Sequence, residues 1–253
     1  MAVKLKIDDG VAVVTISRPE VRNALDSRTI EDLRNTMEKL GGDGSVKVVV
    51  ITGEGPAFVS GADLRELSGF DSTHAERYVS LGQEMLSRIE QMDCPVLAAI
   101  NGHCLGGGCE LALACDLRIC SIEARIGQPG LGIGVIPGFA GTRRLTRLVG
   151  IGRAKEMVFL GEPVSANRAL EMGLVNWVVE PERVLPFSME IARALESKAP
   201  LALKRVKMLM NSENTGIMST SGRPEIEAFG RVFETDEPKI GIEAFFKKTK
   251  PNW

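Results

Sequence analysis

Three consecutive glycines, Gly106, Gly107 and Gly108, stand just before Glu110 in an apolar part of the chain. A glycine run costs conformational entropy on folding, so it indicates a place where another group must approach the backbone closely. The first N–H groups of a helix have no partner within it and carry partial positive charge. A helix that starts near Cys109 would therefore stabilise a ligand oxygen that becomes negative. A sterically tight strand-to-helix turn is the other interpretation.

A second segment of small residues, Ser60-Gly61-Ala62-Asp63-Leu64, follows a predicted strand. Taken alone it is an ordinary surface loop. Paired with the glycine run it is a candidate second donor, because a site for a developing oxyanion uses two converging backbone N–H groups.

Glu110 falls in the first turn of the predicted helix, where the helix dipole favours a carboxylate. The same position suits a general base beside an oxyanion site. Burial among Leu105, Leu111 and Ala112 would raise the pKa of Glu110, and the helix N-terminus would lower it. The sequence leaves open which effect is larger.

Strands and helices alternate in the first half of the chain. Residues 5–7 and 11–17 form a predicted hairpin around Asp9-Gly10. Near-continuous apolar runs predict strands that are buried on both faces, and these runs cover residues 46–52, 95–101 and 117–121. Such alternation is typical of parallel α/β proteins.

Two long helices are predicted between those strands. Ser27 is expected to cap the first, which ends at Gly41-Gly42. Residues 71–92 form the second, and Gly82 lies on its apolar stripe, where a glycine indicates a close packing contact.

The chain after Phe139 is predicted to be almost entirely helical, apart from a short strand at 175–179. The last helices have too little apolar surface to fold alone, so they are expected to pack on the core or on a neighbouring subunit. The predicted helices cover residues 142–148, 153–159, 166–171, 181–197, 201–211, 224–233 and 240–248.

Composition narrows the class of protein. A net charge of −2 over 253 residues argues against non-specific nucleic-acid binding. No apolar run reaches the roughly 18–20 residues of a membrane span, and residues 1–10 lack a signal-peptide core. We therefore expect a cytoplasmic protein.

Cysteine and histidine usage argues against disulfides and against a metal site. The five cysteines form no CxxC pair, and Cys104, Cys109, Cys115 and Cys120 are expected to be buried reduced thiols. The two histidines, His74 and His103, lack zinc-type spacing with cysteines, so no metal is expected.

The segments above belong to a longer ordered series that spans nearly the whole chain. The series is Arg18-Pro19, Asn23-Ala24-Leu25, Ser60-Gly61-Ala62-Asp63-Leu64, Asn101-Gly102-His103, Gly106-Gly107-Gly108-Cys109-Glu110-Leu111, Gln128-Pro129, Gly132, Ile136-Pro137-Gly138, Gly141-Thr142-Arg143-Arg144-Leu145, Ala169-Leu170, Gly173-Leu174-Val175 and, near the end, Phe245-Phe246. Together these residues resemble the enoyl-CoA hydratase/isomerase (crotonase) family.

The resemblance implies an α/β fold, a crotonase-like spiral of repeated β-β-α turns with a C-terminal helical region. Residues 1–195 would form the spiral core, and residues 196–253 would form a helical oligomerisation region. It also implies a homotrimer or a dimer of trimers, with acyl-CoA as substrate and no separate cofactor.

The resemblance also assigns site residues. The amides of Ala62 and Gly107 would form an oxyanion hole that holds the thioester oxygen of an acyl-CoA while an enolate forms. The acyl pocket would come largely from residues 63–92. The residues expected along the CoA are Arg22, Ala24, Ala62, Asp63 and Leu64, with Phe245 and the lysines 247, 248 and 250 near its adenine and phosphates. The alternative for Lys248 and its neighbours is a solvated helix face.

One departure from the family pattern matters for the reaction. Related hydratases carry two catalytic glutamates; the first matches Glu110, but the residue after Gln128-Pro129, where the second is expected, is Gly130. The best expectation is an enoyl-CoA hydratase or dehydratase, a lyase, in which Glu110 handles both proton transfers.

Three alternatives stay open. Gly130 could make room for a bulkier acyl group, with Tyr78 or a water as proton donor and His103 packed behind its strand. The chain could instead be an isomerase, decarboxylase or thioester hydrolase of the same family. It could also be a catalytically impaired paralogue that binds acyl-CoA.

Overall fold

The structure is a computed structural model that describes residues 2–212, 229, 231, 234–249 and 251–252. The described strands are β1 (Val3–Asp8), β2 (Val11–Ile16), β3 (Val48–Gly53), β4 (Ala57–Val59), β5 (Val96–Ile100), β6 (His103–Leu105), β7 (Leu117–Ser121), β8 (Arg125–Gly127), β9 (Val164–Ser165) and β10 (Trp177–Val179). The described helices are α1 (Ser27–Gly41), α2 (Leu64–Leu67), α3 (Ser72–Glu90), α4 (Gly107–Ala114), α5 (Gly141–Val149), α6 (Ile151–Leu160), α7 (Ala166–Glu171), α8 (Val184–Glu196), α9 (Pro200–Ser212) and α10 (Glu237–Lys247).

The strands form two sheets that the chain visits in turn. The larger sheet has the order β1-β2-β3-β5-β7-β10, and only the β1–β2 hairpin in it is antiparallel. The smaller sheet has the order β4-β6-β8-β9. Each strand pair β3/β4, β5/β6 and β7/β8 places its first member in the large sheet and its second in the small one. This is the predicted spiral of strand-strand-helix turns.

The strands predicted from apolar runs are confirmed as β3, β5 and β7. Strand β3 is buried throughout because it separates two cores: Val49 and Ile51 belong to the larger, and Val48 and Val50 face the smaller, which helix α8 covers. The small sheet was not predicted, since its strands have only two or three residues each.

Two predicted helix starts were wrong. The cap of α1 is Asp26, whose side chain accepts a hydrogen bond from the Thr29 N–H at 2.7 Å. Ser27 is instead the first helical residue, and its N–H and hydroxyl both donate to the Glu66 carboxylate. Helix α4 starts at Gly107 rather than at Cys109, so two of the three glycines are helical.

Other local predictions are confirmed. Helix α1 ends at Gly41, with Gly42 as its C-terminal cap. Gly82 packs directly against the ring of Phe139, which leaves no room there for a side chain. Cys104, Cys109, Cys115 and Cys120 are buried, unpaired thiols; Cys94, also unpaired, is half-buried.

Helix α9 packs on the core, as expected. The Lys207 ammonium donates to the Asp116 carboxylate at 2.7 Å and to the Cys94 carbonyl at 2.9 Å. The Asn211 amide donates to the Glu90 carbonyl at 3.0 Å. The helix predicted at 224–233 lies almost wholly outside the described residues. None of the described helices has both the length and the apolar character to cross a bilayer.

Candidate functional site

The two small-residue segments lie against each other. Strands β4 and β6, which lead into them, are parallel neighbours. A β-carbon at Gly106 would lie 3.7 Å from the Cα atom of Gly61, so the two loops are in contact. No described residue accepts a hydrogen bond from the backbone N–H of Ala62 or of Gly107. Two neighbouring backbone donors are thus left open, which is the requirement of an oxyanion site.

Leu25 holds the Ala62 segment in place. Its N–H donates to the Gly61 carbonyl at 2.8 Å, and its carbonyl accepts from the Asp63 N–H at 2.8 Å. These bonds flank Ala62 on both sides, so Leu25 fixes the peptide that carries the Ala62 N–H without using that N–H.

The glycines of α4 have separate reasons to be glycine. A β-carbon at Gly108 would overlap the Val59 carbonyl, so the tight-turn interpretation holds for this residue. A β-carbon at Gly107 would lie 3.2 Å from the Phe139 ring and 3.5 Å from the Leu25 side chain. Close packing therefore holds the peptide whose N–H remains unpaired.

Glu110 is 3% exposed and extends from the first turn of α4. Its carboxylate oxygen Oε1 accepts a hydrogen bond from the Gly141 N–H at 2.7 Å. Burial raises the pKa of Glu110 to about 7, although the N–H groups of Gly141 and Phe139 and the charge of Arg144 each act to lower it. The question left open by the sequence is settled in favour of burial, and a carboxyl with that pKa exchanges protons readily near neutral pH.

The turn that supports Glu110 is itself braced. Arg144 donates to the Phe139 carbonyl at 2.6 Å and to both oxygens of the Glu90 carboxylate, at 2.8 and 2.6 Å. Ala140 has a left-handed backbone with φ of 62°, which brings the Gly141 N–H to the start of α5. Sequence reasoning gave Gly141 no role, although this residue opens one of the motifs in the ordered series.

Ala62, Gly107 and Glu110 line one cavity of about 610 Å³. Residues 63–92, expected to form most of the acyl pocket, supply only one wall, through helix α3 and the segment before it. The opposite wall was missed, and it consists of Gln128, Pro129, Gly130, Ile133, Val135, Ile136, Pro137, Gly138 and Phe139. Apolar surface dominates both walls, so the cavity suits an apolar group next to one acid and two amides.

Gly130 does not leave space for a larger acyl group, and that alternative was wrong. A β-carbon at Gly130 would lie 2.6 Å from the Val135 carbonyl oxygen. The Val135 N–H donates to the Gly130 carbonyl at 2.9 Å, which closes the loop on itself. The chain therefore fills the volume that a side chain at this position would need.

The other suggested proton donors are placed differently from the expectation. Tyr78 lines the cavity, but its hydroxyl donates to the Leu25 carbonyl at 2.8 Å, and burial raises its pKa above the usual range. His103 is half-buried rather than packed in the core, because on β6 it is Cys104 that faces inward.

Two of the residues expected along the CoA lie beside the Ala62 loop. The Arg22 carbonyl accepts a hydrogen bond from the Ser60 N–H at 3.1 Å, and the Arg22 side chain is exposed. Ala24 is buried, two residues further along the same segment. The structure thus places residues 22–25 beside the loop that carries Ala62, and Ala62 lines the cavity.

The other residues expected along the CoA differ in their burial and in their distance from the cavity. The Asp63 carboxylate is buried, caps α2 and pairs with Arg18 at 3.0 Å. Leu64 is 55% exposed and lines the cavity. Lys248 is exposed just after α10, and no described contact joins it to this loop. The side chain of Phe245 lies outside the described residues, as does Lys250.

Metal-binding groups are not concentrated anywhere in the described ranges: no cluster of three or more His, Cys, Asp or Glu side chains could hold an ion there.

Comparison with known proteins gives a consistent result. The family model described as Enoyl-CoA hydratase/isomerase matches residues 6–253. The chain is 42% identical to the short-chain-enoyl-CoA hydratase of Clostridium acetobutylicum, over 97% of this chain and 95% of that protein. It is 40% identical to the crotonyl-CoA hydratase of Syntrophomonas wolfei, over 98% and 96% of the two chains. The crystal structure of the enoyl-CoA hydratase from Bacillus anthracis superposes with a TM-score of 0.96 at 34% identity, covering 100% of this chain and 99% of that one.

Proposed function

The chain belongs to the enoyl-CoA hydratase/isomerase family, and we propose that it is a hydratase that adds water across the double bond of 2-enoyl-CoA thioesters, or removes it in the reverse reaction. One observation carries this proposal: a single buried carboxyl, Glu110, shares a cavity with two unpaired backbone donors. A chain with only the fold would have no reason to keep a costly buried acid at that position.

The proposed reaction uses the three groups in sequence. The N–H groups of Ala62 and Gly107 hold the thioester oxygen. Glu110 takes a proton from water as the hydroxyl adds to the β-carbon, and the electrons of the double bond pass to the thioester as an enolate. Glu110 then returns that proton to the α-carbon, so one water supplies both added groups.

The pKa of Glu110 supports a double role. A base must be ionised for the first step and an acid must be protonated for the second. A carboxyl with a pKa of about 7 serves both with a small free-energy penalty in either direction.

Because Gly130 provides no second carboxylate, a second candidate reaction is double-bond isomerisation. Moving one proton between two carbons needs one base and no activated water, and Glu110 is the only acid on the described cavity wall apart from Asp71, which caps α3. An isomerase would exchange the α-proton but add no water. Decarboxylation would place deuterium at the α-carbon with loss of carbon dioxide, thioester hydrolysis would release free CoA, and binding without turnover would leave the mass of the acyl-CoA unchanged.

These reactions are separated by mass spectrometry of a panel of linear and cyclic acyl-CoAs in deuterated water. We expect hydration and deuterium at the α-carbon with the unmodified protein, and neither with Glu110→Gln. The control is Glu156→Gln, which alters an exposed glutamate on α6. Exchange without hydration would favour the isomerase, and unchanged activity in Glu110→Gln would rule out Glu110 as the base.

We further propose that the CoA lies along Arg22, Ala24, Ala62, Asp63 and Leu64. Support comes from Ala62 and Leu64, which line the cavity, and from the hydrogen bonds that join residues 22–25 to residues 60–63. Phe245 and Lys248 would approach the adenine and phosphates, from the same or a neighbouring subunit.

The proposed assembly is a homotrimer or a dimer of trimers formed through residues 196–253, with residues 1–195 as the spiral core. Helix α9 supports this, because it keeps Val206, Met208 and Met210 about half or more exposed. Acyl-CoA is the substrate and no separate cofactor is needed. Five unpaired cysteines favour a reducing, cytoplasmic setting.

A further inference from the structure

We propose that Tyr78 is a positioning residue of the oxyanion site, and that its hydroxyl fixes Leu25 between the two backbone donors. The inference rests on the proposed function, because it concerns the same site. It adds a side chain whose hydroxyl bonds to the backbone of Leu25 and thereby sets the geometry of both N–H groups.

Leu25 connects the two halves of the site. Its backbone pairs with Gly61 and Asp63, one on each side of the Ala62 peptide. Its side chain reaches to 3.5 Å from the position that a β-carbon of Gly107 would occupy. A shift of Leu25 would therefore move one donor through hydrogen bonds and the other through packing.

Tyr78 holds Leu25 at the carbonyl. Its hydroxyl donates to that oxygen at 2.8 Å, and the Asp63 N–H donates to the same oxygen at 2.8 Å. Tyr78 is only 6% exposed, so the bond is shielded from water. Burial raises the pKa of Tyr78 above its usual range, so the hydroxyl remains a protonated donor.

The ring of Tyr78 acts on the other donor. Its centroid lies 5.4 Å from that of Phe139 and 5.5 Å from that of Phe70, with both pairs of rings tilted. Phe139 in turn lies 3.2 Å from the β-carbon position of Gly107. One side chain thus links the Ala62 loop, through its hydroxyl, to the Gly107 peptide, through its ring.

Loss of the hydroxyl alone should loosen this link without unfolding the chain. In Tyr78→Phe the Leu25 carbonyl keeps its bond from Asp63, and the aromatic packing is unchanged. Removing a whole oxyanion donor typically costs about a hundredfold to a thousandfold in kcat. Because both donors remain here, we expect a loss of about tenfold in kcat with KM within about twofold.

The matched control is Ser188→Ala. Ser188 is a fully buried hydroxyl that donates to a backbone carbonyl, Val184, at 2.7 Å, on helix α8 far from the cavity. Both variants lose one buried hydrogen bond, so a purely structural effect would lower stability in both and kcat in neither.

A spectroscopic readout separates positioning from stability. Butyryl-CoA labelled with carbon-13 at the thioester carbonyl is bound to each protein, and its carbonyl stretch is measured by infrared difference spectroscopy. We expect a large downshift with the unmodified protein and with Ser188→Ala, and a clearly smaller one with Tyr78→Phe. A wild-type kcat and a wild-type carbonyl stretch in Tyr78→Phe would overturn the proposal.

A second measurement covers the case in which Tyr78→Phe does not fold. Tyr78 is the single tyrosine of the chain, so growth on 3-fluorotyrosine labels this site alone. We expect its fluorine resonance to move on binding butyryl-CoA and to stay in place on binding free CoA; no movement with the thioester would overturn the proposal.

The outcome for the reaction is distinguishable. A carbonyl shift that depends on Tyr78 in a protein that hydrates no enoyl-CoA would keep the positioning role and reject the hydratase. If the carbonyl stretch of the thioester does not shift on binding to the unmodified protein, both the positioning role of Tyr78 and the hydratase proposal are rejected.

Discussion

A buried ionisable side chain lies at each end of helix α4, Glu110 in its first turn and Arg118, from strand β7, at its C-terminus. Arg118 donates to three backbone carbonyls, those of Cys115 at 2.6 Å, Leu174 at 2.9 Å and Ala112 at 3.4 Å. Glu110 accepts a hydrogen bond from the Gly141 N–H at 2.7 Å and faces a cavity.

Burial is the largest influence on both groups, and it acts in opposite directions. It lowers the pKa of Arg118 and raises that of Glu110. Arginine starts so far above neutral pH that it stays charged, whereas Glu110 is brought to the pH at which it changes state. The C-terminal end therefore holds a permanent charge bonded to backbone carbonyls, and the N-terminal end combines open N–H groups with a titrating acid.

The largest effect is expected from removing the permanent charge. Arg118→Met should remove the side-chain donor from the Cys115, Leu174 and Ala112 carbonyls, although that of Ala112 keeps its bond from the Cys115 N–H at 3.2 Å. We expect the free energy of unfolding to fall by about 3–4 kcal/mol. The kcat of the folded protein should stay within about twofold, because the site lies at the other end of α4. Urea unfolding and enzyme assays check this, with Arg28→Met, on an exposed face of α1, as control. Lost activity with unchanged stability would contradict the division of the two ends.

Glu110→Gln should change stability with pH in a defined direction. The pKa of Glu110 is raised from 4.5 to about 7, so the folded state holds the proton more tightly and stability falls as pH rises through that window. A neutral glutamine escapes this loss. Above pH 8 we expect Glu110→Gln to be more stable than the unmodified protein by about 3 kcal/mol or less, and below pH 4 to be equal to it. Thermal unfolding from pH 4 to 9 tests this prediction. Equal stability of the two proteins throughout would mean that burial does not raise the pKa of Glu110.

Gly141→Ala should displace the carboxylate without removing it. A β-carbon there would lie 2.6 Å from Glu110 Oε1 and 2.7 Å from its Cγ atom. Small displacements of catalytic groups cost up to about a hundredfold, so we expect kcat to fall between about tenfold and a hundredfold. Gly152→Ala is the control, since its β-carbon position on α6 has open space. Equal rates in the two variants would show that a methyl group at residue 141 does not displace Glu110.

Gly130→Glu should not restore a second acid, and the smallest effect is expected here. The β-carbon would meet the Val135 carbonyl at 2.6 Å and open the loop, at a cost of about 1–3 kcal/mol. Gly132→Glu places the same charge in the same loop at a position with open space. We expect neither variant to hydrate faster than the unmodified protein. A rise of more than about tenfold in Gly130→Glu would show that this position accepts the missing glutamate.

The sequence was informative where burial dominates. Strands β3, β5 and β7 are buried on both faces, so their apolar runs identify them. The strands of the small sheet were not predicted because two or three residues are too few to show an alternating hydrophobic pattern. Ser27 was taken for the cap of α1 because residue type cannot show that Glu66, far along the chain, takes its hydrogen bonds.

The sequence predicts which residues form the site, but it does not predict the pKa of Glu110 or the full cavity wall. Glycine spacing and the family resemblance predicted Gly107 and Glu110 as site residues, but the pKa of Glu110 depends on burial and on the Phe139–Gly141 turn, which only the folded chain brings together. The cavity wall at residues 128–139 was missed for the same reason. Extra space at Gly130 stayed open as an alternative because the sequence does not show that the Val135 backbone returns to fill it.

The most direct test of a single acid and base is the pH dependence of kcat/KM for hydration of crotonyl-CoA. One ionisation near pH 7 is expected, with the rate rising to a plateau as Glu110 loses its proton, and Glu110→Gln should show only a residual, flat rate. A bell-shaped profile with a second ionisation, or a wild-type profile that survives in Glu110→Gln, would contradict the account.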